Sequence, residues 1–455
     1  MLWEDLLILL PAAWYQLAAF LFAALFHYLC ALGHLSLISR YVVSIPAAMP
    51  RAVCIHGYFL GLSWLSPVPS SCSRLSKGHL VSSRYIFLLA GGCLLAGTAM
   101  GSYATLLLIP AVSSVLMLLL VSPAYVHTWV FILQMCWQTL CHLGLGSLVL
   151  EPQDTRPAVT LSAIMLLTQK VTSLALDIHE GTVLPQPGQG LLQRALPLCS
   201  YLLFFPALLG GPLCSFSKFE AQVMSLGGVP CPLRAVGWRY LGVLVLQVLR
   251  AWLEGWLPCM QGWASMGHMW AQALLYRLAY YSQWVLDEAL LEAAGFGAAV
   301  EHRDLSGHDL WTLETTHRLA VFSRTWNKST SLWLRRLVFQ RCPAQPLLAT
   351  FAFSAWWHGL RPGQIFGFLC WAIMVEADYR IHPFLSSRAT SCVAKLLYRG
   401  TTWVFTQLII AYIQMAVETE SFSMLCLLWT SYNTELGVAQ LVMSSLSKAD
   451  AGLSP

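Results

Sequence analysis

Charge is what this sequence most lacks. Asp, Glu, Lys and Arg make up 10% of its 455 residues, where a soluble domain carries about 25%. A water-soluble globule of this size could not cover its surface with so few ionised groups, and a disordered chain needs the opposite balance of much charge and little hydrophobicity. A nucleic-acid binder, which needs a basic face, is excluded with them. Metal-binding spacing is also missing: the fourteen cysteines form no C-x-x-C and no Cys/His ligand pattern. They read as small hydrophobes, and no structural metal is expected. There is no tandem repeat. Nor are there paired half-helices in inverted repeats, the sign of a transporter, which is the competing class for an apolar chain. Asparagine is almost absent, with only Asn327 and Asn433.

What is present is long apolar sequence. Hydrophobic residues make up 57% of the chain, and no charged residue occurs in 6–39, 85–150, 195–217, 255–276, 342–360 or 400–417. About 20 apolar residues in a helix cross a bilayer core of about 30 Å, and only helices or closed barrels satisfy the backbone there. The runs do not alternate as barrel strands do. The fold class expected is therefore an all-α polytopic membrane protein of about eleven spans. Candidates lie near 6–30, 85–100, 103–121, 126–148, 157–175, 196–215, 238–254, 262–284, 347–360, 364–378, 401–417 and 422–444. One of these twelve is expected to be re-entrant or interfacial. The run 85–150 divides into three spans near Gly101–Ser102 and Ser122–Pro123. The short pair 347–360 and 364–378 flanks Arg361-Pro362-Gly363.

The first run is no secretory signal. Glu4 and Asp5 precede it, and it exceeds the about 7–15 residues of a signal's apolar region. Arg40, Arg51, Arg74, Lys77 and Arg84 follow with no acidic residue between 40 and 84. That excess marks a cytosolic loop and places the N-terminus in the lumen. Segment 41–84, bordered by a repeated Ser-Arg-Tyr at 39–41 and 83–85, reads as an atypical basic insertion or loop with an interfacial segment. Two polar stretches stand out further on. Segment 177–194 opens with Asp177-Ile-His-Glu180, a polar loop at a span end more than a metal site. Segment 287–344 is the longest and most charged, and Thr315–Gln340 within it reads as helical.

An ionisable residue in an apolar run is a functional candidate. His358, in Phe351-Ala-Phe-Ser-Ala-Trp-Trp-His-Gly359, is the sole titratable side chain between Cys342 and Leu360. Imidazole can accept and return a proton at neutral pH. The alternative is a buried histidine bonded to a backbone carbonyl, and the sequence leaves both open. Asn327 can orient a substrate or donate to an oxyanion. It can equally be a helix cap, or the acceptor of an Asn-Lys-Ser sequon. Arg324, Lys328, Arg335 and Arg336 form a basic cluster that can hold phosphates or simply flank a span.

A Trp-Asn in a polar loop, followed 31 residues later by a histidine in an apolar helix, resembles the membrane-bound O-acyltransferase family. The segments Ser200-Tyr-Leu-Leu-Phe-Phe-Pro-Ala-Leu-Leu-Gly-Gly211, Tyr280–Asp287, Trp311–His317 and Phe351–Tyr379 resemble, within that family, the branch that acylates a secretory peptide hormone. The likeness covers roughly 1–40 and 85–435. It implies one integral membrane domain over 1–455, with about eleven helices around a central tunnel in the endoplasmic reticulum membrane. It also implies acyl-CoA (octanoyl-CoA) as co-substrate with no bound cofactor, and octanoyl transfer to a serine near the N-terminus of a secretory peptide. Asn327 and His358 match the family's catalytic pair. Trp356 and Trp357 are expected to form a dry wall beside His358, and the four basic residues to hold the CoA phosphates. Glu314 and Asp309 are candidates for the peptide's amino end. The runner-up is a member of the same family acting on another secreted protein or on a lipid.

Overall fold

The computed structural model describes residues 2–31, 70–145, 154–183, 190–226, 233–260, 265–297, 307–419, 422–423 and 425–426. The larger part of the atypical segment (41–69), His302, Arg303, Asp304, Asn433 and most of the candidate span 422–444 lie outside them. Every regular element among the described residues is helical.

The early spans follow the apolar runs. They are α1 (Leu2–Ala31), α2 (Ser70–Met100), α3 (Ala104–Leu120), α4 (Val126–Leu145) and α5 (Arg156–His179). The two expected breaks in 85–150 are both present. Gly101, at φ 58, opens a turn of 3-10 helix ahead of α3, and Ser122 accepts the amides of Tyr125 and Val126 in the turn before α4. Three stretches are long and apolar enough on their own to cross a bilayer: Val81–Leu120, Arg156–His179 and Cys392–Glu418. Segment 41–84 is corrected at its C-terminal end, where helix has replaced the expected loop. There α2 starts at Ser70, and Arg84 is buried with Nη1 donating to the Val223 carbonyl at 2.7 Å.

The candidate span 196–215 is also corrected. Helix α6 (Leu191–Leu202) stops short, and Phe205–Ala207 makes a single 3-10 turn before the chain runs irregularly to α7 (Phe216–Ser225). Pro206 disfavours helix at the residue before it, and Gly210-Gly211-Pro212 cannot sustain one. Irregular backbone at membrane depth must be satisfied inside the protein. Here the Ala207 carbonyl accepts from Lys170 Nζ at 2.5 Å, and the Cys214 carbonyl accepts from Tyr201 Oη at 2.7 Å. Apolarity signalled burial in this segment, not helix.

The second half comprises α8 (Leu233–Trp256), α9 (Ser265–Ala293), α10 (Gly307–Thr315), α11 (Leu319–Thr325), α12 (Lys328–Leu337), α13 (Pro346–His358), α14 (Pro362–Arg388) and α15 (Cys392–Glu418). The helix expected over Thr315–Gln340 is thus divided, with its main break at Trp326–Asn327. Helix α8 carries an exposed apolar face. Leu241, Leu244, Val245, Val248 and Leu249 face outward between Trp238 and Trp256. The two tryptophans stand about 27 Å apart at helical rise, the spacing of an interfacial aromatic belt.

One apolar core joins α1 to α7 with the end of α9, and a second joins α8 to α11 with α14 and α15. Between them lies a small cluster of Met135 on α4, Trp333 on α12, and Phe353 and Trp357 on α13. The candidate residues are assembled around it.

Candidate active site

His358 is the last residue of α13. A helix leaves its final carbonyls without intrahelical partners, and three of the four here can be traced. Gly359, at φ 116, donates its amide to Trp356, and Leu360 donates to Ala355. This paired closure caps a helix through a left-handed glycine. The next carbonyl, that of Trp357, accepts from Gln138 Nε2 on α4. Trp356 Nε1 donates to Thr139 Oγ1, also on α4, at 2.9 Å. Pro362 then starts α14 in the opposite direction, its missing N–H harmless at a first helical position. The histidine therefore stands at the tip of a helical hairpin clamped by α4.

The ring itself is half-buried. It stacks on Phe368 of α14, with centroids 5.0 Å apart and planes at 28°, and meets Trp357 edge-on, also at 5.0 Å. Its ring contacts thus come from α13 itself and from α14. The buried-histidine alternative, an imidazole bonded to a backbone carbonyl, is not what is found: His358 makes no hydrogen bond among the described residues. Trp357 is buried against Trp333 at 5.1 Å, and Trp356 is half-buried. Of the two, Trp357 contacts the His358 ring, and Trp356 meets Phe353.

Gly359 has a specific reason to be glycine. A Cβ there would lie 2.7 Å from His142 Nδ1, on a backbone already in the left-handed region. Gly359→Ala is expected to lower stability by about 1–3 kcal/mol through backbone strain alone and to shift His358. The measurement is thermal unfolding in detergent alongside turnover, and an unchanged melting temperature with full activity would contradict it.

Asn327 fills the break between α11 and α12. It sits at φ 43, a conformation that asparagine tolerates far better than most side chains. Its Oδ1 accepts the Thr330 amide at 3.3 Å. The capping reading of this residue is therefore correct as far as its oxygen goes. No hydrogen bond involves its Nδ2 among the described residues. Helix α12 is pinned to α5 by Trp333 Nε1 donating to Thr172 and by Gln169 donating to Thr330 Oγ1. Trp326 wedges among Tyr280, Tyr281 and Trp284.

No hydrogen bond joins Asn327 to His358 among the described residues. An aromatic series connects their neighbourhoods instead: Trp326 stacks on Phe322, which meets Trp371, which lies parallel to Phe368 beneath His358.

The remaining candidates separate by their partners. Arg336 binds Asp177 at 2.7 Å and Glu180 at 2.6 Å. Burial works against its charge, but those two hydrogen-bonded carboxylates overcome it and hold the guanidinium pKa above its ordinary value. Asp177 and Glu180 thus dock α12 to the end of α5. Lys328 and Asp309 pair with each other at 3.2 Å. Glu314 pairs with wholly buried Arg277 at 3.1 Å and accepts from Tyr281 Oη at 2.8 Å. Arg336, Lys328, Asp309 and Glu314 thus each have a charged partner within the protein. Arg324 and Arg335 are exposed and form no ion pair among the described residues. Sequence reading missed Gln138, Thr139 and His142. They sit in an apolar run like His358, but nothing in their spacing ties them to the tip of α13.

Comparison with known proteins matches this arrangement to one family. The model of the MBOAT, membrane-bound O-acyltransferase family, matches residues 247–414, which include both Asn327 and His358. The chain is similar to the membrane-bound ghrelin O-acyltransferase of Mus musculus, 46% identical over 95% of both proteins, and to that of Rattus norvegicus at 45% over the same shares. It is more distantly similar to membrane-bound glycerophospholipid O-acyltransferase 1 of Homo sapiens, 27% identical over 65% of this chain and 70% of that one. A helical membrane architecture, a clamped histidine and full-length identity therefore agree: the chain belongs to the membrane-bound O-acyltransferase family.

Proposed function

We propose that this protein is the octanoyltransferase of the ghrelin precursor, moving an octanoyl group from octanoyl-CoA to a serine hydroxyl near that peptide's N-terminus. The observation that carries this reading is identity of 46% spread over 95% of the chain, against 27% to a lipid-acylating relative. We also propose a single domain over 1–455, about eleven spans around a central tunnel, in the endoplasmic reticulum membrane with the N-terminus lumenal. Helix α13 is the best candidate for the re-entrant element: its 13 residues reach about 20 Å, short of a bilayer core of about 30 Å.

The thioester arrives activated, so the barrier lies in deprotonating the serine and stabilising a tetrahedral oxyanion. His358 takes the serine proton as Oγ attacks the thioester carbon. It then passes that proton to the CoA sulfur as the C–S bond breaks. The C-terminal end of α13 presents its negative pole to the imidazolium formed between those steps. Asn327 Nδ2 donates to the oxyanion. The rings of Trp357, Phe368 and Trp333 keep water from the thioester. Arg324 and Arg335, the two basic candidates free of carboxylates, serve the CoA phosphates. No covalent acyl-enzyme is needed.

The test is mass spectrometry of ghrelin precursor co-expressed with this chain in cells fed octanoate. A peptide carrying one octanoyl group on a serine supports the reading. Unmodified peptide beside newly acylated glycerophospholipid would assign the chain to the other branch.

A further inference from the structure

His142 is the polar side chain near the site that the proposed reaction leaves unused. It lies one turn after Gln138 on α4, whose Nε2 donates to the Trp357 carbonyl. Its Nδ1 is the atom closest to the hairpin, 2.7 Å from where a Gly359 Cβ would stand. With the ring proton on Nδ1, the lone pair lies on Nε2. That Nε2 is buried and has no hydrogen-bond partner, and buried acceptors are rarely left unpaired without reason. Beside it, His358 has both ring nitrogens uncommitted. The His142 ring lies against Gly359, the residue that directly follows His358. A histidine acting as a base needs its second nitrogen held, commonly by a carboxylate or carbonyl. The neighbouring unpaired acceptor is an imidazole.

Resting on the acyl-transfer reading above, we propose that His142 is a positioning residue for His358. Its Nε2 accepts the ring N–H of His358 across one water and so turns the other, unprotonated nitrogen of His358 toward the serine hydroxyl. The serine proton moves to His358 and then to the thiolate sulfur, while the proton between the two imidazoles stays in place. Gly359 is part of the same device, because any side chain there would push the His142 ring away. Gln138 donates to the Trp357 carbonyl and keeps the hairpin seated.

Two amide side chains separate the roles of the two nitrogens. Asparagine can supply an N–H where Nδ1 stands but nothing at Nε2, and glutamine can place its oxygen near Nε2. The full-length protein in detergent would be assayed with octanoyl-CoA and a serine peptide, using wild type, His142→Asn, His142→Gln and His358→Ala. His142→Asn should lose about 10–100-fold in kcat with both KM values within about threefold, the pattern of an interaction made in the transition state. His142→Gln should return to within about fivefold of wild type, because it restores an acceptor for general-base alignment. Wild-type kcat in the Asn variant, or a Gln variant no better than His358→Ala, would overturn the proposal. Should the Asn variant fail to show an octanoyl-CoA-induced thermal shift, the Gln variant decides alone by the same criterion. An inactive wild type would count against the acyl-transfer reading itself, with the His142 geometry unaffected.

Discussion

His358→Ala is expected to lower acyl transfer by about 10²–10⁴-fold, the range that a positioned acid–base group contributes. Octanoyl-CoA binding should change little, since the imidazole acts in the transition state and not on the bound ground state. Alanine also removes a ring stacked on Phe368 at 5.0 Å, so part of any loss would come from repacking. His358→Phe separates the two effects. Phenylalanine keeps a flat ring between Trp357 and Phe368 but carries no proton, and it should be as inactive as alanine while melting closer to wild type. Single-turnover rates with pre-bound octanoyl-CoA give the cleanest reading. A phenylalanine variant retaining more than about a tenth of wild-type rate would show that the site does not use this group for proton transfer.

Substitution of Asn327 should produce the second large effect, and the choice of replacement matters. Alanine changes three things together. It removes the Nδ2 donor, it removes the oxygen that caps α12, worth about 1 kcal/mol, and it forces a φ of 43 that costs a Cβ-bearing residue about 1–2 kcal/mol. Aspartate keeps the capping oxygen and tolerates the left-handed backbone, yet cannot donate and brings negative charge toward a developing oxyanion. Asn327→Asp should therefore fold as wild type and lose about 10²–10³ in kcat, the cost of one oxyanion donor. Asn327→Gly should relieve the backbone and lose turnover to a similar extent. Full activity in the aspartate variant would reduce Asn327 to a cap. Thermal unfolding and kcat measured on the same preparations check both halves of the statement.

The two residues differ in how well the sequence could disclose their surroundings. His358 was conspicuous because a titratable group in a charge-free run is costly there and needs a reason. Asn327 was conspicuous through rarity, yet its left-handed backbone and its cap depend on where α11 ends. The basic cluster shows the limit most clearly. Arg324, Lys328, Arg335 and Arg336 are alike on paper. Two of them are engaged by Asp309, Asp177 and Glu180, and those carboxylates lie up to 159 residues away along the chain. Charge sign is a property of sequence, but whether a charge is available is a property of packing. The candidate span 196–215 fails for a related reason. Apolar side chains report that a segment avoids water, and a proline and paired glycines decide whether it does so as a helix or as irregular backbone propped by Lys170 and Tyr201.

The amino-acid order by itself determined that the protein is a helical membrane protein and that His358 and Asn327 deserve scrutiny. These follow from local quantities: transfer cost per residue, backbone satisfaction in lipid, and the rarity of a residue type. The tertiary structure alone decided that His358 stands at the tip of a hairpin held by α4. It alone decided that His142 shares that tip, that Asn327 turns its oxygen inward to cap a helix, and that Glu314 answers to a buried arginine. Each of these is a contact between segments far apart in the chain, and no local quantity records which distant partner a side chain will meet.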